Sequence, residues 1–132
     1  MSEEVSINPQ EQEVKSAIEQ KLGRFFDEAT GVIVQRKFEK IPLVNRCGDV
    51  SRVTLEVIGG EVRTFSVRGE NPSIHYVHEN ESVEIGSAFN TANHAYVVDE
   101  NGRVWDPITR VWGDIDDEEY RSRLQVKTSS SD

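Results

Sequence analysis

His94-Ala95-Tyr96-Val97-Val98-Asp99-Glu100-Asn101-Gly102-Arg103-Val104-Trp105-Asp106-Pro107 decides how this chain is read. Two runs of β-branched and aromatic residues flank Glu100-Asn101-Gly102, a turn signal, so the stretch predicts an antiparallel hairpin. Register matters, because strand side chains alternate between faces. A two-residue Asn101-Gly102 loop pairs Glu100 with Arg103, sets His94 opposite Thr109 and sends Asp106 to the other face. A four-residue loop has the same parity. A three-residue loop pairs Asp99 with Arg103 and sets Tyr96 opposite Asp106. His94 is then the diagonal neighbour of Asp106 on one face, roughly 7–8 Å away at the backbone. Such a loop ends on a left-handed residue that forms a bulge, and Gly102 supplies it. In the other registers Asp106-Pro107 only ends a strand, and His94 is a half-buried surface residue.

Upstream, Asn8-Pro9-Gln10-Glu11 starts a helix: Asn8 caps, Pro9 suits the first helical position and Glu11 completes a capping box. Val14, Ile18, Leu22 and Phe25 continue it as one apolar stripe, to about Glu28 and before Gly31. Val32–Phe38 reads as strand or as continued helix. Cys47–Ile58 fits either a helical face or an alternation, and Gly59-Gly60 ends it. Beyond that point strands dominate: Val62–Arg68, Ser73–His78, Val83–Ile85 and the two arms of the hairpin. Asp116–Leu124 reads as a short helix with an acidic first turn. Residues 1–7 and 127–132 are expected to be loose ends. With no repeat and no linker, the expectation is one α+β domain over residues 1–132, helices first and an antiparallel sheet after.

The 132 residues suit a single modest core, 36% of them hydrophobic and 30% charged. The formal net charge is −9 at pH 7, and no run of Lys and Arg forms a basic face, so nucleic acid is not the expected partner. No stretch resembles a membrane span or a signal peptide. The expectation is a cytoplasmic protein, or one exported without a cleaved signal peptide, with no membrane partner. Nothing in the sequence reads on oligomeric state.

There is one cysteine, which rules out an internal disulfide and a Cys-based zinc cluster. His75 and His78 fall on opposite faces of an extended segment, and the acidic run from Asp114 to Glu119 lacks the glycine of a calcium loop. No metal and no cofactor is expected. A lone cysteine is either a small core residue or a nucleophile. A nucleophile needs a lowered thiol pKa, a histidine to move the proton and a group to orient that histidine. Cys47 follows the turn-like Asn45-Arg46 and can open a helix, whose free N–H groups favour a thiolate. The N–H groups of Cys47 and Gly48 would then face an oxyanion, and Gly48 has no side chain to block a substrate. Tyr96 and Trp105, with Trp112, form either an aromatic wall beside such a site or part of the core.

The order Cys47, then His94 on a strand, then Asp106 after the next strand resembles the papain-like cysteine enzymes, most closely their transglutaminase-like branch. Cys47-Gly48-Asp49-Val50-Ser51 is similar to the branch's helix-start motif. Gly59-Gly60-Glu61-Val62-Arg63 looks like the glycine turn and strand that follow. His94-Ala95-Tyr96-Val97-Val98 and Gly102-Arg103-Val104-Trp105-Asp106-Pro107 are similar to its His-Ala-aromatic and Trp-Asp-Pro motifs. The resemblance covers about residues 45–110 and extends to compact papain-fold toxin-type domains. Two departures stand out: Tyr96 replaces a Trp, and Arg46 stands where larger members often carry an oxyanion-supporting Gln. Asn45 and Gln35 are the candidates for that support.

The resemblance implies a papain-like or transglutaminase-like core and a Cys47-His94-Asp106 triad. The implied activity is acyl transfer on a carboxamide or peptide bond of a protein or peptide substrate, through a thioester. Water as acceptor gives an amidase, deamidase or protease; an amine gives a transglutaminase. The alternative is an inactive binding or structural domain that keeps the fold.

Overall fold

A computed structural model of the chain describes residues 8–129, so the two outermost expected loose segments, 1–7 and 130–132, lie outside the described residues. Helix α1 (Pro9–Leu22) begins as expected, with Asn8 Oδ1 accepting from the Gln10 N–H at 3.0 Å and Val14 and Ile18 fully buried. Glu11 does not close the cap; it pairs with Lys15 at 2.9 Å.

The helix stops short of Glu28. At Gly23 the N–H closes onto Glu19 O, and a Cβ there would come within 2.6 Å of that same carbonyl. The chain turns instead into β1 (Arg24–Asp27), which pairs with β2 (Val32–Gln35), Phe25 opposite Val34. The helical stripe therefore loses Phe25, which lies under the Arg36 guanidinium at 4.1 Å. A short 3-10 turn, Phe38–Lys40, follows and drops Phe38 into the core.

The ambiguous stretch after Asn45 is helix α2 (Cys47–Ile58), burying Val50, Val53 and Thr54. The Thr54 hydroxyl is satisfied by Val50 O at 2.7 Å, so it enters the core without an unpaired donor. Gly60, at φ +93°, must be glycine: a Cβ would lie 2.1 Å from Val98 O.

The remaining elements are β3 (Glu61–Arg68), β4 (Ser73–His78), β5 (Glu81–Ser87), β6 (Thr91–Val98), β7 (Arg103–Asp106), β8 (Val111–Asp116), α3 (Asp117–Ser122) and β9 (Leu124–Lys127). They form a four-stranded sheet in the order β3-β6-β7-β8 and a three-stranded sheet β5-β4-β9, with every described pairing antiparallel. The architecture is α+β, with α2 packed on β6 and α1 packed on α2.

Besides β1, two more strands run where none is expected. Val111–Asp116 returns along β7, and Leu124–Lys127 adds an edge to β4, so Lys127 is paired with Ser73 rather than loose. Strand β9 also shortens the expected C-terminal helix, whose start is fixed by Asp116 Oδ1 accepting from Glu119 N–H at 2.8 Å. Among the described residues no helix is long and apolar enough to cross a membrane.

Candidate active site

The β6–β7 hairpin sets the geometry. Val97 lies opposite Trp105 and Val98 opposite Val104, and Asp99 N–H donates to Arg103 O at 2.8 Å. The loop is thus the three residues Glu100-Asn101-Gly102, with Gly102 left-handed at φ +79°. Asp99 organises it: Oδ1 accepts from Asn101 N–H and Arg103 N–H, and Oδ2 from the Trp105 indole at 2.9 Å. Burial opposes the charge of Asp99, yet these donors hold its carboxyl below the usual range.

This register puts His94 and Asp106 on one face. His94 Nε2–H donates to Asp106 Oδ2 at 2.6 Å, with the two side chains 0% and 1% exposed. Asp106 Oδ1 accepts from Ile108 N–H at 3.0 Å, and the Tyr120 hydroxyl donates to Oδ2. A buried carboxylate with three donors stays ionised: burial pushes its pKa up, but the His94 charge and hydrogen bond and the Tyr120 bond pull it below the usual value. Burial likewise pushes His94 down, and the charge and hydrogen bond of Asp106 outweigh it, raising His94 from 6.5 to about 9.

Cys47 is the first residue of α2 and is half-buried. Its Sγ lies 3.8 Å from Asn93 O, the residue before His94. Hydrogen bonding to His94 lowers the thiol pKa, burial works against this, and the Ala95 backbone assists. With Nε2 committed to Asp106, Nδ1 is the ring nitrogen left for the thiol. It is buried and has no hydrogen-bond partner of ordinary geometry, so the thiol contact is a loose one. The structure therefore brings Cys47, His94 and Asp106 together on the start of α2, β6 and the end of β7.

The supporting residues divide. Gly48 is exposed, and a Cβ on it would meet nothing within 4 Å, so the approach to the helix start is open. Asn45, left-handed at φ +66° two residues before Cys47, is anchored by Oδ1 accepting from Ser87 N–H at 3.1 Å. Gln35 is not a support: its NH2 group donates to Glu19 O and Arg36 O, where it closes the end of α1. Nor do Tyr96 and Trp105 wall a groove, since they are 1% and 3% exposed. Tyr96 stacks on His94 and donates to Asp117 at 2.6 Å, while Trp105 fills the space beside Gly113. Trp112 packs edge-on against Phe38. Their burial follows from ring size, which makes such residues core formers first.

Sequence reasoning missed Tyr120. It is fully buried, its hydroxyl lies 3.1 Å from His94 Nε2, and its ring stacks on Tyr76 and packs at a tilt against Tyr96. A lone aromatic ring in an acidic helix signals a buried face, but nothing local says which carboxylate it meets. His75 bonds Ser73 and His78 lies by Glu79; among the described residues no group of three or more His, Cys, Asp or Glu converges as metal ligands do.

No protein-family model, no curated protein and no solved structure matches this chain.

Proposed function

We propose that the protein is a cysteine-dependent acyl-transfer enzyme with a papain-like or transglutaminase-like core, acting on a carboxamide or peptide bond of a protein or peptide substrate. One observation carries the reading: a half-buried thiol of lowered pKa beside a histidine whose far nitrogen is bonded to a buried carboxylate. A core cysteine needs no buried His-Asp pair beside it; such a pair is costly to desolvate, and strongly perturbed titratable groups cluster at functional sites.

The chemistry follows from the groups. The Cys47 thiol passes its proton to His94 Nδ1, and the thiolate sulfur attacks the carbonyl carbon. The carbonyl electrons move to oxygen, giving a tetrahedral oxyanion. Free N–H groups at the start of α2 and the Asn45 NH2 group are the donors for that oxygen, each worth about 2.7–4 kcal/mol in such a role. Collapse breaks the C–N bond, and His94 returns its proton to the leaving nitrogen. A thioester remains. Water or an amine then attacks it, giving up a proton to His94, and the thiolate leaves. Asp106 keeps the proton on Nε2, so that Nδ1 can accept, and stabilises the imidazolium.

The test is iodoacetamide alkylation of Cys47 across pH, followed by release of ammonia or peptide fragments from glutamine-containing peptides, with and without an added alkylamine. The expected result is fast alkylation at neutral pH, with turnover abolished in Cys47→Ala. Alkylation that simply tracks an ordinary thiol, with a midpoint near 8.5, overturns the proposal.

A further inference from the structure

We propose that Tyr120 is a positioning residue that shares Asp106 Oδ2 with His94 and thereby limits how tightly Asp106 holds the His94 proton. The assignment rests on the triad reading for its meaning, but its physical core is independent of turnover.

Geometry carries it. Oδ2 accepts from both the Tyr120 hydroxyl and His94 Nε2, and the two donors lie 3.1 Å apart. Each donor drains negative charge from the same oxygen, so each weakens what the other feels. The Tyr120 ring cannot turn away: it is 0% exposed, with Tyr76 stacked on it at 5.4 Å and Tyr96 tilted against it at 4.7 Å between centroids. Burial and the Asp106 charge keep its hydroxyl protonated far above the ordinary tyrosine range, so it donates at every pH of interest.

Other charged groups near this cluster are already paired. Tyr96 donates to Asp117, which is also bonded to Arg63 and sits 3.4 Å from Arg121. Tyr76 accepts from Arg123, which is itself paired with Glu119. Asp114 acts on Tyr76 at longer range, and Cys47 faces His94 from α2. None of these groups donates to Oδ2, so removing the Tyr120 hydroxyl leaves His94 as its remaining side-chain donor.

The sign follows. In Tyr120→Phe the ring stack stays and the donor goes. Asp106 then presents more charge to His94, and the imidazolium persists to higher pH. The expected shift is about half to one pH unit upward in the His94 midpoint, a roughly three- to tenfold gain in proton affinity. The measurement is a 15N-histidine NMR titration of wild type and Tyr120→Phe, with His75→Gln and His78→Gln fixing the assignments. Replacing all tyrosines with 3-fluorotyrosine makes the hydroxyl a stronger donor and is expected to move the midpoint down, which covers the case in which Tyr120→Phe does not fold. A rise in Tyr120→Phe, or a fall with fluorotyrosine, upholds the proposal. An unchanged midpoint, or shifts of the opposite sign, overturns it. The alkylation profile stands apart: an ordinary thiol profile in wild type sinks the enzyme reading, while the histidine titration still decides the role of Tyr120.

Discussion

Asp106→Asn replaces one buried carboxylate oxygen by NH2. Oδ2 faces two donors and Oδ1 faces the Ile108 N–H, so no orientation of the amide reproduces the native set. With the amide oxygen kept on Ile108, the NH2 group points at His94 and Tyr120. The least costly response is for His94 to shed its Nε2 proton, accept from the amide and carry its proton on Nδ1. Nδ1 is the nitrogen the thiol needs, so the wrong tautomer is locked in. The imidazolium also loses its Asp106 counter-charge, and burial, which lowers the His94 pKa, is opposed only by the weaker effect of Cys47. A fall from about 9 to 6.5 or below is a loss of at least about 3.4 kcal/mol at 1.36 kcal/mol per pH unit. Turnover should drop by about 10⁴, while the fold gives up only about 1–3 kcal/mol for the rearranged hydrogen bonds. The assays are the pH profile of Cys47 alkylation, the His94 NMR midpoint and a urea melt. A His94 midpoint still near 9 in Asp106→Asn, or unchanged alkylation at neutral pH, would refute the reasoning.

Cys47→Ala removes a half-buried thiol whose best hydrogen bond is 3.8 Å long, so urea unfolding should change by less than about 1 kcal/mol; a loss above about 3 kcal/mol would mark the residue as core. In that same background, which removes the opposing thiol titration, stability should be highest with His94 protonated. Asp106 raises the folded His94 pKa above the unfolded 6.5, so the contribution is full below pH 6.5 and lost as pH rises through the raised value, which lies below about 9 once the Cys47 thiol is gone. The upper limit is about 3 kcal/mol by chemical denaturation, and a flat profile over that range contradicts the pairing. A Cβ on Gly102 meets no atom within 4 Å, so the cost of Gly102→Val is mainly conformational, about 1–2 kcal/mol for a β-branched residue at φ +79°. Gly102→Asn, which tolerates that φ, should behave like wild type in the same melts, and equal stability of all three would remove the left-handed requirement.

The hairpin and its triad face were legible because they depend on neighbours in sequence: strand alternation, a three-residue turn and a glycine at its last position fix where Asp106 points. The start of α1 was legible for the same reason, since Asn8 and Pro9 act within one turn. What escaped depends on distant partners. Arg24–Asp27 carries a helical period but pairs with Val32–Gln35, and pairing wins once Gly23 closes the helix. Strand β9 exists because β4 offers it an edge, which no residue of Leu124–Lys127 announces. Gln35 had the right chemistry for an oxyanion donor but its NH2 group is taken by Glu19 O in the last turn of α1 and by Arg36 O. Tyr120 reaches Asp106 across 14 residues, beyond any local pattern.

The Glu100-Asn101-Gly102 turn makes loop length, rather than loop composition, the quantity under constraint. Deleting or inserting one residue there, with β6 held in place by β3, slides β7 by one position and exchanges its two faces. Asp106 would then leave His94 for the side now occupied by Trp105, and a bulky indole would arrive against the imidazole. A single-residue indel at this exposed turn that shifts the register would thus separate Asp106 from His94, although it touches no atom of either side chain.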